Sequence, residues 1–247
     1  MEPAATVAAV ICAAGASARM GGIKKEYQKL DGAGPLTVLG AAVRAFASLS
    51  SVKIIVIAVP PPLCGEDTEA AAREALPQEF LASAEPKIVF VNGGKTRRAS
   101  VFNALSLLAA YSPRYVLIHD GARPWVSPSL VENIIEEVKK HGAVIPLLPL
   151  TDTPKECDAP LRESKQDGET QAVLITRHLK RANTGIAQTP QAFKFPEILR
   201  AHEKAAEVED EEFTDDAEIW GRFCGSVAVI SGSPENRKIT FPEDISR

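Results

Sequence analysis

The sequence predicts an α/β protein with a Rossmann-like, doubly wound and mostly parallel sheet that carries helices on both faces. Up to Leu150, apolar runs rich in Val and Ile alternate with amphipathic segments. The runs are apolar throughout rather than at every second position, which is typical of strands that are buried on both sides. A chain of 247 residues, 45% of them hydrophobic, fits one such domain over 1–247.

The segments before Leu150 follow this alternation in order. We expect strands at 6–13, 53–59, 87–91, 115–119 and 143–147. We expect helices at 36–49, 66–76, 97–110 and 129–141. The last of these helices has the clearest limits, because Ser127 and Pro128 suit its N-cap and first position and Gly142 follows its basic final turn.

The segment 151–181 interrupts the pattern, because it is polar and contains only one short β-like run, at 172–176. It cannot bury itself, so it is either a loop or an extended β-arm, and we expect an arm that packs on another subunit. Beyond it we expect, in order, a helix at 196–207, an acidic turn at 209–216, a short helix, and strands at 227–230 and around 237–241.

Composition excludes several classes of protein. The longest apolar run, 52–63, contains Lys53 and three prolines, so no segment is expected to span a membrane. The N-terminus lacks the basic region of a signal peptide, which predicts a cytoplasmic protein. A net charge of −4 gives no basic surface for nucleic acid. The cysteines form no C-x-x-C pair and are expected to be reduced thiols that bind no metal: Cys12, Cys64, Cys157 and Cys224.

The loop after the first predicted strand is the first candidate binding element. It begins Ala13-Ala14-Gly15 and continues through Arg19 to Lys25. Small residues allow backbone N–H groups to approach a polyphosphate closely, and Arg19 and Lys25 add positive charge. The alternative is a solvated glycine loop whose basic residues have no ligand.

Two familiar nucleotide motifs do not fit this sequence. A dinucleotide-binding fingerprint requires glycine where Ser17 stands, which disfavours a hydride-transfer enzyme. Gly94-Lys95-Thr96 is similar to the end of a P-loop, but the earlier glycine of that motif would fall at Val89, inside a strand. A P-loop ATPase is therefore disfavoured as well.

Two further loops follow strands and are expected at the same edge of the sheet. The segment 92–100 opens a helix with free N–H groups and paired arginines, and is either an anion site or a plain capped turn. In the segment 119–124, Asp120 and Arg123 can hold a metal-bound phosphate, a hydroxyl, or each other in a salt bridge. We expect His119 to be a packed strand residue.

Taken together, these segments resemble the 2-C-methyl-D-erythritol 4-phosphate cytidylyltransferase family, which is similar to other sugar-phosphate nucleotidyltransferases. The similarity covers nearly the whole chain, and its specificity comes from the shared order of several motifs. These motifs are AAGASARMG with KKEY, NGGKTRRASV, HDGARP, TDTPK, Arg181 eight residues before TPQ, TDDA, and NRKITFPEDI.

The resemblance implies a role for each matching residue. Arg19 and Lys25 correspond to the pair that stabilises the pentavalent transition state. Three residues correspond to groups that position methylerythritol phosphate: Thr153, Arg181 and Lys238. Three correspond to groups that hold cytosine: Gly94, Lys95 and Ser100. The remaining matches lie along the nucleotide: Ala13, Ala14, Gly15 and Gly121.

The resemblance also implies a reaction and its partners. The expected reaction transfers CMP from CTP to 2-C-methyl-D-erythritol 4-phosphate, with Mg²⁺ carried on the CTP phosphates and no metal held by the protein alone. The family exchanges its arm across a homodimer, so the arm at 151–181 would place Thr153 and Arg181 in the neighbouring subunit's site.

Some positions depart from the family pattern. Lys95 stands where an acidic residue is common, Ser17 replaces a glycine, and the arm between Cys157 and Ala172 is longer than usual. The usual C-terminal helix does not follow FPEDI, which predicts a shortened chain or one half of a fused protein.

Two other functions remain open from the sequence. A ribitol or other polyol-phosphate cytidylyltransferase is the nearest alternative, although such relatives tend to begin their first loop with AGG rather than AAG. The other is a nucleotide-binding module without catalytic activity.

Overall fold

The computed structural model describes residues 6–17, 20–32, 34–62, 67–159, 172–208 and 213–245. Arg19 and Cys64 lie outside these residues, and so does the first half, 209–212, of the expected acidic turn at 209–216. Within the described residues, no helix combines the length and the apolar character that crossing a bilayer requires.

The central sheet has eight strands, most of them parallel. Its strands are β1 (Val7–Cys12), β2 (Val52–Val59), β3 (Lys87–Asn92), β4 (Tyr115–Asp120), β5 (Ala143–Pro149), β8 (Gly185–Ala187), β9 (Gln191–Lys194) and β10 (Ala228–Ser231). Along the sheet the order is β10-β5-β9-β4-β1-β2-β3, and β8 also pairs with β5. Among the residues that the structure describes, only β8 and β9 run antiparallel to their neighbours in this sheet.

Helices cover both faces of the sheet, as the sequence predicts. The helices are α1 (Val38–Ala47), α2 (Thr68–Glu74), α3 (Gln78–Ala82), α4 (Arg97–Leu108), α5 (Pro128–His141), α6 (Glu197–Glu207) and α7 (Asp216–Phe223). Apolar side chains of α1 and α5 pack on one face, and those of α4, α6 and α7 pack on the other. The fold class is therefore confirmed.

The limits of α5 follow the predicted caps. Ser127 Oγ accepts a hydrogen bond from Leu130 N at 3.2 Å, and Pro128 is the first helical residue. Gly142 has a φ of 84°, a left-handed conformation that glycine adopts without strain, and its N–H closes the helix on Val138 O.

The predicted final strand at 237–241 is wrong. The segment runs across the carboxyl edge of the sheet instead, where Ile239 N donates to Ala122 O at 2.8 Å. The next two N–H groups, of Thr240 and Phe241, donate to Asp244 Oδ2 at 2.8 and 2.9 Å. Because these donors are used locally, the segment cannot continue a strand ladder.

The predicted arm contains a separate antiparallel pair. Strand β6 (Lys155–Cys157) pairs with β7 (Ile175–His178), and β7 begins three residues later than the expected run at 172–176. All four residues of β7 are exposed, and so is Leu174 before it. The described part of the arm thus has little burial within its own chain.

Candidate active site

A cavity of about 1070 Å³ lies at the carboxyl edge of the parallel strands. Its walls come from the loop after β1, the start of α4, the end of β4 and the C-terminal segment that crosses the edge. Many of the predicted site residues line it: Ala14, Gly15, Lys25, Gly94, Lys95, Ser100, Asp120 and Lys238. The loops of an open α/β sheet are expected to bind ligands in this position.

The loop after β1 is bonded to a half-buried lysine. Lys24 Nζ donates to Gly15 O at 2.5 Å and pairs with the buried carboxylate of Glu26 at 3.3 Å. Burial lowers the pKa of Lys24, although the charge of Glu26 opposes that change. No described atom lies within 4 Å of the place that a Cβ on Gly15 would take. The backbone at Gly15 therefore leaves room for a ligand.

The N-terminus of α4 closes the opposite wall. Thr96 Oγ1 accepts from Ala99 N at 3.1 Å, and Ser100 Oγ accepts from Gly94 N at 3.1 Å. A Cβ on Gly93 would collide with the Cβ of Ala14, so glycine lets the two loops approach each other. This arrangement places the positive end of the helix dipole beside the glycine loop, which favours an anion between them.

Asp120 is the centre of the charged network in the cavity. Its Oδ2 lies 3.0 Å from Lys238 Nζ and 3.4 Å from Arg123 Nε, and its Oδ1 lies 3.5 Å from Arg97 Nε. Burial alone would raise the pKa of this carboxyl group, but Lys238, Arg97 and Arg123 outweigh burial and hold the pKa far below its usual value. Asp120 is therefore ionised, and it is compensated by cations from three parts of the chain.

The C-terminal segment brings Lys238 and Lys25 to one side of the cavity. Ile239 O accepts from Lys25 Nζ at 2.8 Å, while its N–H is bonded to Ala122. Asn236 Nδ2 donates to Thr189 O at 2.7 Å, which ties the segment to the turn before β9. Two ammonium groups from opposite ends of the sequence thereby face the same space.

Other predicted residues lie behind the wall or away from it. Ala13 is fully buried, and a Cβ on Gly121 would lie 3.0 Å from Cys12 O, so both positions serve the close packing of β1 and β4. Thr153 and Arg181 are exposed on the arm and do not line this cavity. Arg181 Nη1 donates to Thr151 O at 2.6 Å.

Two contacts of Arg97 have no signal in the sequence. Its Nη1 lies 2.8 Å from Asp216 Oδ2, and its Nε reaches Asp120. Both residues occur in quoted motifs, Arg97 in NGGKTRRASV and Asp216 in TDDA. Their pairing could not be found from the sequence, because 118 intervening residues separate them and neither motif names a partner.

Neither a metal cage nor a thiol nucleophile stands out in the cavity. Among the described residues, no group of three or more His, Cys, Asp or Glu side chains is placed to hold a metal ion. Cys12 lines the cavity, but burial raises the pKa of its thiol to about 12, so it stays protonated near neutral pH. The described walls of the cavity instead supply cationic side chains and backbone N–H groups.

His119 supports the site from inside the sheet. Its ring is fully buried, with Nδ1 3.0 Å from Thr189 Oγ1 and Nε2 3.2 Å from Arg123 O. The hydroxyl of Thr189 also accepts from Asp120 N at 3.1 Å. The predicted packed role of His119 is consistent with this geometry. Burial, which outweighs the charge of Asp120, lowers the pKa of His119 to about 4.

The comparisons with a family model, with curated relatives and with solved structures agree with one another. The model of the family described as "IspD: 2-C-methyl-D-erythritol 4-phosphate cytidylyltransferase" matches residues 7–247. A bifunctional enzyme IspD/IspF of Nitrobacter winogradskyi is 39% identical over 248 residues, which cover 100% of this chain and 56% of that protein. The chain spans about half the length of the curated relatives it matches.

Two solved structures match this chain over most of their own length. A 4-diphosphocytidyl-2C-methyl-D-erythritol synthase from Anaerococcus prevotii superposes with a TM-score of 0.76 at 26% identity, covering 98% of this chain and 96% of that one. A 2-C-methyl-D-erythritol 4-phosphate cytidylyltransferase from Thermus thermophilus gives a TM-score of 0.67 at 30% identity, covering 96% and 94%.

We expect His119 to make folding stability depend on pH. The unfolded chain binds a proton on this ring below about 6.5, whereas the folded chain does so only near 4, so stability is complete above 6.5 and falls as the pH drops toward 4. The loss is about 3 kcal/mol at most. Urea unfolding between pH 7 and pH 4.5 should show a steeper decline for the unmodified chain than for His119→Gln. Parallel curves would contradict this assignment.

Proposed function

The chain belongs to the 2-C-methyl-D-erythritol 4-phosphate cytidylyltransferase family, and from this premise we propose that it transfers CMP from CTP to 2-C-methyl-D-erythritol 4-phosphate. The products are 4-diphosphocytidyl-2-C-methyl-D-erythritol and pyrophosphate, and the reaction belongs to isoprenoid synthesis. The cavity carries this proposal, because Lys25 and Lys238 face one space that is bordered by a glycine loop and a helix N-terminus.

The reaction requires concentrated positive charge. CTP and the acceptor phosphate together bring roughly six negative charges, and in-line attack gathers further charge around the α-phosphorus. We assign Lys25 and Arg19 to that phosphorus, and Lys238 and Arg181 to the acceptor phosphate. Lys25 and Lys238 are held by protein oxygen atoms, so their positions are set before a substrate arrives.

Binding of CTP is proposed to use the two loops that meet at Gly93. The backbone at Ala14 and Gly15 would approach the triphosphate, as the open space beside Gly15 permits. Gly94, Lys95 and Ser100 would contact cytosine. Lys95 stands where the family often has an acidic residue, so we assign recognition at this position to its backbone groups.

The transfer needs no protein nucleophile and no general base. An oxygen of the acceptor phosphate forms the new bond to the α-phosphorus of CTP, and the bond from that phosphorus to the bridging oxygen of pyrophosphate breaks. The acceptor phosphate is already an anion, so no proton has to be removed before attack. The protonated thiol of Cys12 is consistent with a site that does not use covalent catalysis.

Nucleotidyltransferases generally use divalent metal ions, and we propose Mg²⁺ for this chain. Both oxygens of Asp120 already contact cationic side chains, so the donor set fits an ion that is held mainly by the CTP phosphates. When bound, such an ion reduces the charge of the triphosphate and polarises its oxygens. Lys25 and Lys238 then orient the reacting groups.

We propose that the arm completes the site of a second subunit in a homodimer. Thr153 and Arg181 are exposed and do not line the cavity of their own chain, although the resemblance of their motifs to the family implies that they position the acceptor. Apolar residues at the end of the described arm, Leu174 and Ile175, are 69% and 51% exposed, which favours a partner surface. The arm at 151–181 is therefore proposed as the dimer contact.

Activity on defined substrates tests the proposal directly. With CTP, Mg²⁺ and 2-C-methyl-D-erythritol 4-phosphate, we expect pyrophosphate release in a coupled assay. Ribitol 5-phosphate serves as the matched acceptor and is expected to react more slowly. Faster turnover of ribitol 5-phosphate would assign the chain to polyol phosphates, and no turnover with either acceptor would indicate a nucleotide-binding module.

Removal of Lys25 should slow the reaction without unfolding the chain. We expect Lys25→Ala to lower kcat about a hundredfold or more, because one preorganised charge at the reacting phosphorus is lost. Lys29→Ala is the matched control, since Lys29 is exposed on the same segment and does not line the cavity. Steady-state kinetics and circular dichroism check both variants. Equal activity of the two variants would count against the role of Lys25.

Mixed dimers test the arm. If Arg181 serves the partner's site, Lys25→Ala and Arg181→Ala subunits combine into a dimer with one intact site. After refolding an equal mixture, we expect about a quarter of the unmodified activity. Two affinity tags verify that mixed dimers form. Activity no higher than that of the separate variants, with mixed dimers present, would place both residues in one subunit's site.

A further inference from the structure

Asp216 is a buried carboxylate that lies outside the cavity. It is the first residue of α7, it is 0% exposed, and it does not line the cavity. We propose that Asp216, supported by His202, is a positioning residue for the cytidylyl transfer: it fixes the Arg97 guanidinium, through which it sets the orientation of Asp120. This inference rests on the proposed function and deepens it.

The carboxylate of Asp216 is held between two helices. Oδ2 lies 2.8 Å from Arg97 Nη1 at the start of α4, and Oδ1 lies 3.1 Å from His202 Nε2 on α6. Burial opposes ionisation of Asp216, but Arg97 and His202 outweigh it and lower the pKa of the carboxyl group. Asp216 is therefore an anion that is fully enclosed by protein.

His202 orients this anion through its Nε2. The ring is 0% exposed, and its Nδ1 has no hydrogen-bond partner among the residues that the structure describes. A proton on Nδ1 would be a buried donor without an acceptor, which favours the tautomer that carries its proton on Nε2. Nε2–H then donates to Asp216 Oδ1 and fixes the plane of the carboxylate.

Arg97 needs such an anchor because of its place in α4. It is the first residue of the helix, where the positive end of the helix dipole repels a cation. Its side chain is 31% exposed and lines the cavity, so it has room to turn away from Asp120. The contact with Asp216 is much shorter than the contact with Asp120, at 2.8 Å against 3.5 Å. Asp216 is thus the closer anionic partner of the guanidinium, as an ion pair without hydrogen-bond geometry, whereas Asp120 accepts a longer hydrogen bond from Nε.

The restraint reaches the reacting groups through Asp120. Arg97 contacts Oδ1 of Asp120, while Lys238 contacts Oδ2. If Arg97 moves, Asp120 loses one of the cations that compensate it and becomes free to rotate, which displaces Lys238. A change in the total charge of the cavity does not account for the expected loss of activity. Loss of the Asp216 carboxylate would make the surroundings of the cavity more positive.

The experiment compares two neighbouring aspartates. Asp216→Asn removes the anion that holds Arg97. Asp215→Asn is the control, because Asp215 is the N-cap of the same helix, where its Oδ1 accepts from Glu218 N at 2.8 Å. Asp215 does not contact Arg97. For Asp216→Asn we expect kcat to fall about 10- to 100-fold, as for other supporting partners of a site, with the KM for CTP unchanged or lower. For Asp215→Asn we expect kcat within about twofold of the unmodified chain.

A double-variant cycle separates positioning from general damage. Arg97→Gln removes the group through which Asp216 acts, so Asp216→Asn should cause no further loss of kcat in that background. Asp216→Glu, which restores the charge, should recover part of the activity. Equal losses in both backgrounds, or equal kinetics of the Asp216→Asn and Asp215→Asn variants, would overturn the inference.

Two further experimental results would also decide whether the inference holds. If Asp216→Asn does not fold, His202→Leu is measured in both backgrounds, and a loss that persists in the Arg97→Gln background overturns the inference. If the unmodified chain releases no pyrophosphate from CTP and 2-C-methyl-D-erythritol 4-phosphate, the proposed function fails and the inference fails with it. Turnover by the unmodified chain without a distinct effect of Asp216→Asn overturns the inference alone.

Discussion

An ionised carboxylate at the end of a buried strand requires cations around it, and this requirement organises the carboxyl edge of the sheet. Asp120 draws Arg97 from the start of α4, Arg123 from the following turn and Lys238 from the C-terminal segment. Burying a charge without such partners would cost several kcal/mol. The chain has a net charge of −4, yet several of its positive groups line the cavity where the proposed substrates carry negative charge. Local charge, rather than the overall balance, is the relevant property for this site.

The antiparallel insertion of β9 ties the same edge to the C-terminal segment. This strand lies between β4 and β5, and the residues just before it connect the sheet to the C-terminal segment. Thr189 binds Asp120 N through its hydroxyl and accepts from Asn236 through its carbonyl oxygen. Gln188 Nε2 also donates to Ser233 O at 2.9 Å. Residues that lie far apart in the sequence are thereby held in one frame, which suits a site that acts by preorganised charge.

The predicted site residues fall into three groups in space. Most of those on the glycine loop, at the start of α4, at the end of β4 and in the C-terminal segment line one cavity, while Ala13 and Gly121 pack behind its wall. Thr153 and Arg181 lie on the exposed arm, and Arg19 lies outside the described residues. Motifs identified the first group because glycine, small residues and lysine have local signatures. The partners of Arg97 had no such signature, since an ion pair between distant helices leaves no pattern in either segment.

The sequence by itself determined the alternation of strands and helices, the two helix-covered faces and the limits of α5. These features depend on hydrophobic periodicity and on caps, which act over a few residues. Only the tertiary structure decided that β9 runs antiparallel inside the sheet, that the segment 237–241 crosses its edge, and that Asp216 holds Arg97. Each of these outcomes depends on which buried donors and charges meet after the chain has folded. Local pattern cannot specify such pairs, because their energies arise from groups that are distant in the sequence.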